Sequence, residues 1–73
     1  MLKMFQKRLK IDKILNKKFK SLHFLHEKLQ ELNISYEKYE TILQEHWYLL
    51  RIDDINYGCK LLKDNKNRYY LTR

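Results

Sequence analysis

Residues 28–42, KLQELNISYEKYETI, decide how the chain is interpreted. Asn33 is the best break in the middle of the chain, because Asn tolerates the left-handed backbone conformation that ends helices. Ser35 follows at once and is a good N-cap for a new helix. Glu37 then falls in the first turn of that helix, where the helix dipole favours an anion. The stretch therefore predicts one helix that ends at Asn33 and another that begins after Ser35.

Working outward, the spacing of apolar residues predicts three helices. The first lies in a basic helical arm, residues 1–20, the second begins at a Ser21 cap, and the third runs from about Tyr36 to about Leu50. The inward-facing residues expected on these helices are Leu2, Phe5, Leu9, Ile14, Leu22, Leu25, Leu29, Leu32, Tyr39, Ile42, Leu43, Trp47 and Leu50. Trp47 is expected inside, in contact with Leu32 or Ile34 of the preceding segment.

After Asp53-Asp54 the apolar period changes to that of a strand. Apolar and polar residues alternate from Ile55, and Tyr and Thr in residues 68–72 favour a returning strand, with a turn at residues 64–67 between them. The hairpin predicted over residues 55–72 packs on the helices through Ile55, Tyr57, Cys59, Leu61, Tyr69 and Leu71. The expected fold is one small domain, residues 1–73, mainly α, with a helix pair at residues 21–52 and a C-terminal β-hairpin.

A competing interpretation is a single long helix that dimerises as a coiled coil. Neither Pro nor Gly interrupts residues 1–57, and apolar positions between residues 11 and 50 nearly keep a three–four alternation. A two-stranded seam would, however, leave apolar residues such as Phe24 and Ile34 in water. Wide apolar faces fit compact helix packing better.

The charge balance favours anionic partners. The chain has 16 Lys and Arg against 9 Asp and Glu, for a net charge of +7. Residues 1–20 and 55–73 are basic and residues 21–54 are acidic, so the excess positive charge lies toward the two ends. Such a balance suits nucleic acid, an acidic membrane or an acidic protein surface. Residues 2–20 are amphipathic as well as basic, which suits an anionic membrane surface or a partner helix.

The order of the elements resembles that of the winged helix-turn-helix superfamily. The resemblance covers residues 28–42, above all Leu32-Asn33-Ile34-Ser35, and the hairpin at 55–72 takes the place of the wing. It implies a DNA-binding transcription regulator that binds double-stranded DNA. Base contacts are then expected from Tyr36, Lys38, Thr41 and Gln44, together with Glu37. Phosphate contacts are expected from Lys60, Lys63, Lys66 and Arg68 on the wing and from Lys10, Lys17 and Lys18 on the arm.

Other classes of function find less support in the sequence. Gly58 is the only glycine, which excludes a Gly-rich phosphate loop, and Ser21 and Ser35 are explained as helix caps, so we expect no catalysis and no cofactor. His23 and His26 are a weak match to metal-ligand spacing, and we expect no metal site.

The expected setting is the cytoplasm of an AT-rich organism. Cys59 stands alone, which favours a reducing compartment, and no apolar run is long enough for a signal peptide or a membrane span. The composition is rich in Lys, Asn, Ile and Tyr and lacks Ala, which suits an AT-rich genome such as that of a phage or another mobile element. The alternative function is a helical protein-interaction module, an adaptor or inhibitor of a host protein, dimeric through the coiled-coil-like stripe.

Overall fold

The computed structural model describes residues 10–73, so the expectations for Leu2, Phe5 and Leu9 lie outside the described residues. Residues 10–14 are the described part of a first helix, α1. The elements that follow are α2 (Leu22–Glu31), β1 (Ser35–Glu40), β2 (His46–Ile52), β3 (Ile55–Lys63) and β4 (Tyr69–Thr72). The four strands form one antiparallel sheet in the order β1-β2-β3-β4, so each strand pairs with its neighbour in sequence.

The prediction of a mainly α fold with three helices is wrong. Ser35 begins strand β1 instead of capping a helix, and residues 46–52 are strand β2. The helix pair that carried the winged-helix resemblance is therefore absent from the described residues. The long coiled-coil helix is also wrong, because α2 ends at Glu31 and Asn33 has a positive φ of 58°.

The physical reason is the burial pattern of β2. Tyr48, Leu50 and Ile52 alternate along the strand and are buried, whereas Ile42 and Leu43 are exposed in the β1–β2 turn. The residues spaced three and four apart that suggested a helix therefore lie partly on the two faces of the sheet and partly in the β1–β2 turn. Pairing with β3 satisfies the backbone of β2, and Leu25 and Leu29 of α2 belong to the core that covers one side of it, so tertiary burial outweighs the helical spacing.

Two local predictions match the structure. Ser21 caps α2, accepting a hydrogen bond on its Oγ from the backbone N–H of Phe24 at 3.4 Å, and Leu25 and Leu29 are buried on the inner side of the helix. At the other end of the chain, β3 and β4 pair as an antiparallel hairpin within residues 55–72. Both features depend on local signals, namely cap chemistry and strand alternation.

Asn and Asp adopt, at the turns, the positive φ values that glycine usually provides. The non-glycine residues with positive φ are Asn16, Asn33, Gln44, Asp53, Asp54 and Asn67, and each lies at a junction between elements. Asp53 and Asp54 both adopt this conformation, as the two central residues of a tight hairpin turn require. The scarcity of Gly and Pro therefore does not argue against a strand-rich fold in this chain, since Asn and Asp tolerate the left-handed region.

The core lies between the helices and one face of the sheet. Both helices and strands β2, β3 and β4 contribute fully buried side chains to it. These include Ile14 of α1, Leu25 and Leu29 of α2, Tyr48, Leu50 and Ile52 of β2, Cys59 of β3 and Leu71 of β4. Trp47 precedes Tyr48 and points to the other face, where it is only half-buried. The prediction that Trp47 lies inside, against Leu32 or Ile34, is therefore wrong.

The two edges of the sheet differ. Residues 15–19 run beside β4, with Phe19 and Tyr69 exchanging backbone hydrogen bonds of 2.8 and 2.7 Å. At the other edge, β1 is paired on one side only among the described residues. Two copies of β1 related by a two-fold axis would pair as antiparallel strands. Directly opposed side chains lie on the same face of a sheet, so the central residue of that pairing would be opposite its own copy, Glu37 against Glu37 or Lys38 against Lys38. Like charges directly opposite are destabilising, so β1 is poorly suited to pair with itself.

The sheet has two ends of different character. The β1–β2 turn (residues 41–45) and the β3–β4 turn (residues 64–68) lie together at one end, which we call the turn end. Leu22, in the first turn of α2, lines a cleft with Glu40 and His46, so α2 begins at this end too. The β2–β3 turn, Asp53-Asp54, lies at the opposite end.

Candidate nucleic-acid interface

The face of the sheet turned away from α2 carries large side chains, and we call it the open face. Its larger side chains include Tyr39 on β1, Trp47 and Leu49 on β2, Lys60 and Leu62 on β3, and Tyr70 on β4, and Gly58 lies among them. Glu37, opposite Leu49, and Arg51 lie on the same face. Within residues 10–73 no helix or strand covers this face. Most of its side chains remain partly accessible to solvent, which is unusual for so many apolar groups on one surface.

An aromatic pair forms one side of the open face. Tyr39 and Trp47 are directly opposite each other across β1 and β2, with ring centres 6.3 Å apart and planes inclined by 15°. Tyr39 remains 46% exposed. Beside the pair, Gly58 offers no side chain, and the nearest atom to a Cβ placed there is the Tyr39 hydroxyl at 3.9 Å. The result is a flat platform with a bare patch next to it.

Glu45 holds the indole of this pair in position. Its carboxylate accepts hydrogen bonds from Lys60 Nζ at 2.6 Å and from Trp47 Nε1 at 3.4 Å. The hydrogen bond from Lys60, followed by that from Trp47, lowers the pKa of Glu45 below its usual value. Lys60 is thus already paired, and its main effect is to orient the platform rather than to attract an anion from a distance.

A second aromatic lies on the opposite side of the open face. Lys18 Nζ stands 3.5 Å from the centre of the Tyr70 ring, close enough for a cation–π contact. The same ammonium is 3.8 Å from a carboxylate oxygen of Asp64. Because residues 15–19 follow β4, the chain places a lysine of the N-terminal segment directly over a tyrosine of the sheet.

Cations cluster around the β3–β4 turn, and we call this cluster the basic end. It consists of Lys17, Lys18 and Lys20 from the segment beside β4, and Lys63, Lys66 and Arg68 from the hairpin. Asp64 is the carboxylate at its centre, contacting Lys18 and Arg68. Glu27 and Glu31 of α2 line a groove with Lys18 and Lys20. The six cations outnumber these carboxylates, which gives the region a positive potential that attracts phosphates.

Asp64 also organises the turn itself. Its carboxylate accepts hydrogen bonds from the backbone N–H groups of Lys66 and Arg68, at 3.0 and 2.8 Å, and from Arg68 Nε at 3.0 Å. These hydrogen bonds, above all that from the Arg68 backbone, lower the pKa of Asp64. The carboxylate therefore fixes the positions of the surrounding cations.

The structure brings together some of the residues predicted to bind nucleic acid and separates others. Lys17, Lys18, Lys63, Lys66 and Arg68 meet at the basic end, with Lys60 nearby on the open face. Tyr36 and Lys38 point instead toward the α2 side of β1, because they pair with the buried side of β2. Lys10 lies on α1, away from the hairpin turn.

Thr41 and Gln44 have structural roles in the β1–β2 turn. Thr41 Oγ1 accepts a hydrogen bond from the Glu45 N–H at 3.2 Å, and Gln44 has a positive φ of 63°. The expected base-reading helix with Tyr36, Lys38, Thr41 and Gln44 in a row does not exist here, since Ser35–Glu40 is a strand.

Sequence reasoning missed the open face. The sequence predicts Tyr39 and Trp47 in the core. Tyr57, Tyr69 and Tyr70 interleave with Lys60 and Arg68 and could stack unpaired bases, although the sequence favours their burial in a small core. Residues 47–52, WYLLRI, are almost continuously apolar, so the separation of Trp47 and Leu49 from Tyr48 and Leu50 appears only in the burial pattern of β2.

A cluster of stacked and hydrogen-bonded side chains on the α2 side of the sheet stabilises the fold. His26 Nε2 is 2.6 Å from the Tyr48 hydroxyl, and the His26 ring stacks on Tyr36 at 5.1 Å. Burial, with Lys38 and His23 as smaller causes, lowers the pKa of His26. Burial, together with Tyr36, raises the pKa of Tyr48 to about 12. Both groups are therefore neutral near pH 7 and joined by a hydrogen bond.

The other thiol and imidazole groups of residues 10–73 show no cluster with metal-ligand geometry. Burial raises the pKa of the Cys59 thiol, which reduces its reactivity. His23 is paired with Glu27 at 3.1 Å on the surface of α2. Across residues 10–73 no three side chains of His, Cys, Asp or Glu stand close enough to hold a metal ion.

Neither helix in the part of the chain that the structure describes has the length and apolar character needed to cross a bilayer. Comparison with known proteins adds no assignment: no family model matches the chain, no curated protein matches its sequence, and no solved structure matches its fold. The open face and the basic end are therefore interpreted from their own chemistry.

Proposed function

We propose that this protein binds single-stranded nucleic acid, with bases stacked on the open face and the sugar–phosphate backbone along the basic end. The observation that carries the proposal is the stacked Tyr39–Trp47 pair on an uncovered sheet face beside six clustered cations. Proteins that bind single strands combine aromatic platforms with a positively charged path for the backbone.

Unpaired strands fit this arrangement better than a duplex. Stacking on Tyr39 and Trp47 requires bases whose faces are free, and in a duplex those faces are occupied by neighbouring bases. Sequence-specific binding to a duplex requires an element that enters a groove. The segment predicted to form that helix begins with strand β1 instead. Duplex DNA is the partner implied by the winged-helix resemblance, so the experiment must distinguish duplex binding from single-strand binding.

The proposed path of the nucleic-acid strand runs from the Tyr39–Trp47 pair toward the basic end. Trp47 and Tyr70 are two strands apart and offset by two residues along the strands, a separation of roughly 12 Å. Because the Lys18 ammonium covers one face of the Tyr70 ring, we assign base stacking to the Tyr39–Trp47 pair and phosphate contacts to Lys18 and the β3–β4 turn. We place this activity in the cytoplasm, where a single buried thiol such as Cys59 stays reduced.

The test is a titration of the protein with labelled oligodeoxythymidylate, followed by anisotropy and by quenching of Trp47, the sole tryptophan. We expect Trp47→Ala to weaken binding about 5- to 150-fold, the loss of one stacked base. Ile55→Ala is the control, because Ile55 is an exposed apolar residue beside the β2–β3 turn, at the opposite end of the sheet from the basic end. This control is expected to bind as the wild type does.

Salt dependence tests the basic end separately. Replacing Lys63 and Lys66 together by Ala should lower the log–log salt slope by roughly 1.4, about 0.7 per lost phosphate contact on a single strand. Absence of binding at low salt would overturn the proposal. Equal affinity for a matched hairpin duplex, with unchanged Trp47 emission, would overturn the single-strand assignment and favour the duplex alternative.

A further inference from the structure

The β1–β2 turn presents two aliphatic side chains to solvent. Ile42 is 99% exposed and Leu43 is 80% exposed. Three hydrogen bonds close the turn that carries them: Thr41 N–H to Glu45 O and Gln44 N–H to Thr41 O, both at 2.9 Å, and Glu45 N–H to Thr41 Oγ1 at 3.2 Å. The two side chains therefore project from an ordered support, and we call them the apolar tip.

Neither side chain of the apolar tip helps the described chain to fold. Exposed turn positions favour Asn, Asp, Gly or Ser, whose side chains bond to the backbone or tolerate unusual φ values. Ile42 and Leu43 make no such bond and bury almost no area. Aliphatic groups lower the free energy only when another surface removes them from water, so a stabilising contact for these two side chains would come from outside residues 10–73.

The turn end carries more cations than carboxylates. The two turns at this end are about 10 Å apart, two strand spacings, so Lys63, Lys66 and the rest of the basic end lie about that far from the apolar tip. Two carboxylates flank the tip in its own turn: Glu45 is held by Lys60 at 2.6 Å, and Glu40 is exposed at the end of β1. At the opposite end of the sheet, Asp54 is paired with Arg51 at 3.4 Å, so the clustered cations distinguish the turn end.

We propose that the turn end docks on an anionic phospholipid bilayer, with Ile42 and Leu43 inserted among the acyl chains and the basic end on the headgroups. The charge of the basic end is complementary to such a surface, and each lysine near it contributes to binding. The apolar tip supplies the second signal that stable peripheral attachment requires.

A bilayer fits this end better than a protein pocket does. Protein interfaces surround an apolar anchor with further packed residues and are depleted in lysine. Here a two-residue tip is flanked by polar turn residues and by several lysines spread over two chain segments. A fluid surface of dispersed negative charge needs no fixed complementary shape, so it accommodates this arrangement. The proposal shares the basic end with the nucleic-acid proposal and differs from it in the second contact, which is the apolar tip here and the Tyr39–Trp47 pair there.

The test is co-sedimentation of the protein with vesicles of phosphatidylcholine mixed with phosphatidylglycerol, against vesicles of phosphatidylcholine alone. Ile42→Ser with Leu43→Ser is expected to weaken binding to the mixed vesicles about a hundredfold, since two buried aliphatic side chains are lost. Ile55→Ser is the matched control at the opposite end, where Ile55 is 42% exposed. It should bind as the wild type does. The double variant keeps its fold, because both residues lie outside the core.

Three results would overturn the proposal: no binding of the wild type to the mixed vesicles, equal binding to phosphatidylcholine alone, or equal binding by the double variant. The last would mean that lysines alone attract the protein. The double variant must also bind oligodeoxythymidylate as the wild type does, whereas Trp47→Ala must keep its vesicle binding. These two arms separate failure of this proposal from failure of the nucleic-acid proposal. Loss of both activities in the double variant would overturn the assignment of the apolar tip to the bilayer alone.

Discussion

Truncating Trp47 and Leu50 should give opposite results, although both residues belong to strand β2. Leu50 has no exposed surface and packs between α2 and the sheet, whereas Trp47 is half-buried on the open face. We expect Leu50→Ala to destabilise the fold strongly and Trp47→Ala to destabilise it weakly. For binding to a single-stranded oligonucleotide the order is reversed, because Trp47 belongs to the stacking platform.

The magnitudes follow from burial. Leu50→Ala removes buried methyl and methylene groups and leaves a cavity, which costs about 2–5 kcal/mol. A chain of this length is stable by roughly 4–11 kcal/mol, so this variant loses much of its free energy of unfolding. Trp47→Ala leaves no enclosed cavity and loses part of a surface contact and one aromatic stack with Tyr39, together about 1–2 kcal/mol. The expected falls in Tm are roughly 10–30 °C and 5–15 °C.

The assay is thermal and urea unfolding followed by circular dichroism. Tryptophan fluorescence is unsuitable, since Trp47→Ala removes the only tryptophan. If Trp47→Ala costs as much as Leu50→Ala, Trp47 belongs to the core and the assignment of the two faces of β2 is refuted. If Leu50→Ala leaves the unfolding midpoint unchanged, the packing of α2 on the sheet is refuted.

Two further predictions concern the open face and the α2 side. Gly58→Val should raise stability by up to about 1 kcal/mol, because a β-branched residue suits an exposed strand position better than glycine does. It should also weaken oligonucleotide binding in the anisotropy titration, because it fills the bare patch of the platform. The lowered pKa of His26 means that the unfolded chain takes up a proton first, so the urea midpoint should fall as the pH drops below about 6.5. His26→Gln should flatten that dependence, whereas His46→Gln, at an exposed position of β2, should keep it.

These two predictions have clear failures. A Gly58→Val protein that binds oligonucleotide as tightly as the wild type would exclude the bare patch from the binding surface. A urea midpoint that rises between pH 7 and pH 5 would contradict the neutral hydrogen-bonded pair of His26 and Tyr48. Equal slopes for His26→Gln and the wild type would assign the pH dependence to other groups.

Some of the fold is readable from short stretches of sequence. Ser21 and Asn33 predict the start and the end of helix α2. The alternation of apolar and polar residues, with a turn rich in Asn and Asp, predicts the hairpin of β3 and β4. These signals are local, since a cap or a turn depends on residues a few positions apart. The basic character of residues 17–20 and 60–68 is also plain from the sequence.

The central stretch, residues 35–52, could not be read in the same way. Tyr39, Ile42, Leu43, Trp47 and Leu50 are spaced as a helix would require, and no Gly or Pro marks the turn at residues 41–45. Two strands joined by a turn that contains Ile42 and Leu43 are equally compatible with the same residues. The choice depends on pairing with β3, whose register puts Tyr48, Leu50 and Ile52 on the face that packs against Leu25 and Leu29 of α2.

The sequence by itself determined the positive charge, helix α2 and the C-terminal hairpin, because each is decided by composition or by neighbours along the chain. The tertiary structure decided the rest: that residues 35–52 are strands, that Trp47 faces solvent beside Tyr39, and that Lys18 meets Tyr70 and Asp64. Pairing between distant strands fixes these positions, and a shift of one residue would exchange the two faces of β2. The candidate interface is therefore a property of strand register, which no short stretch of sequence contains.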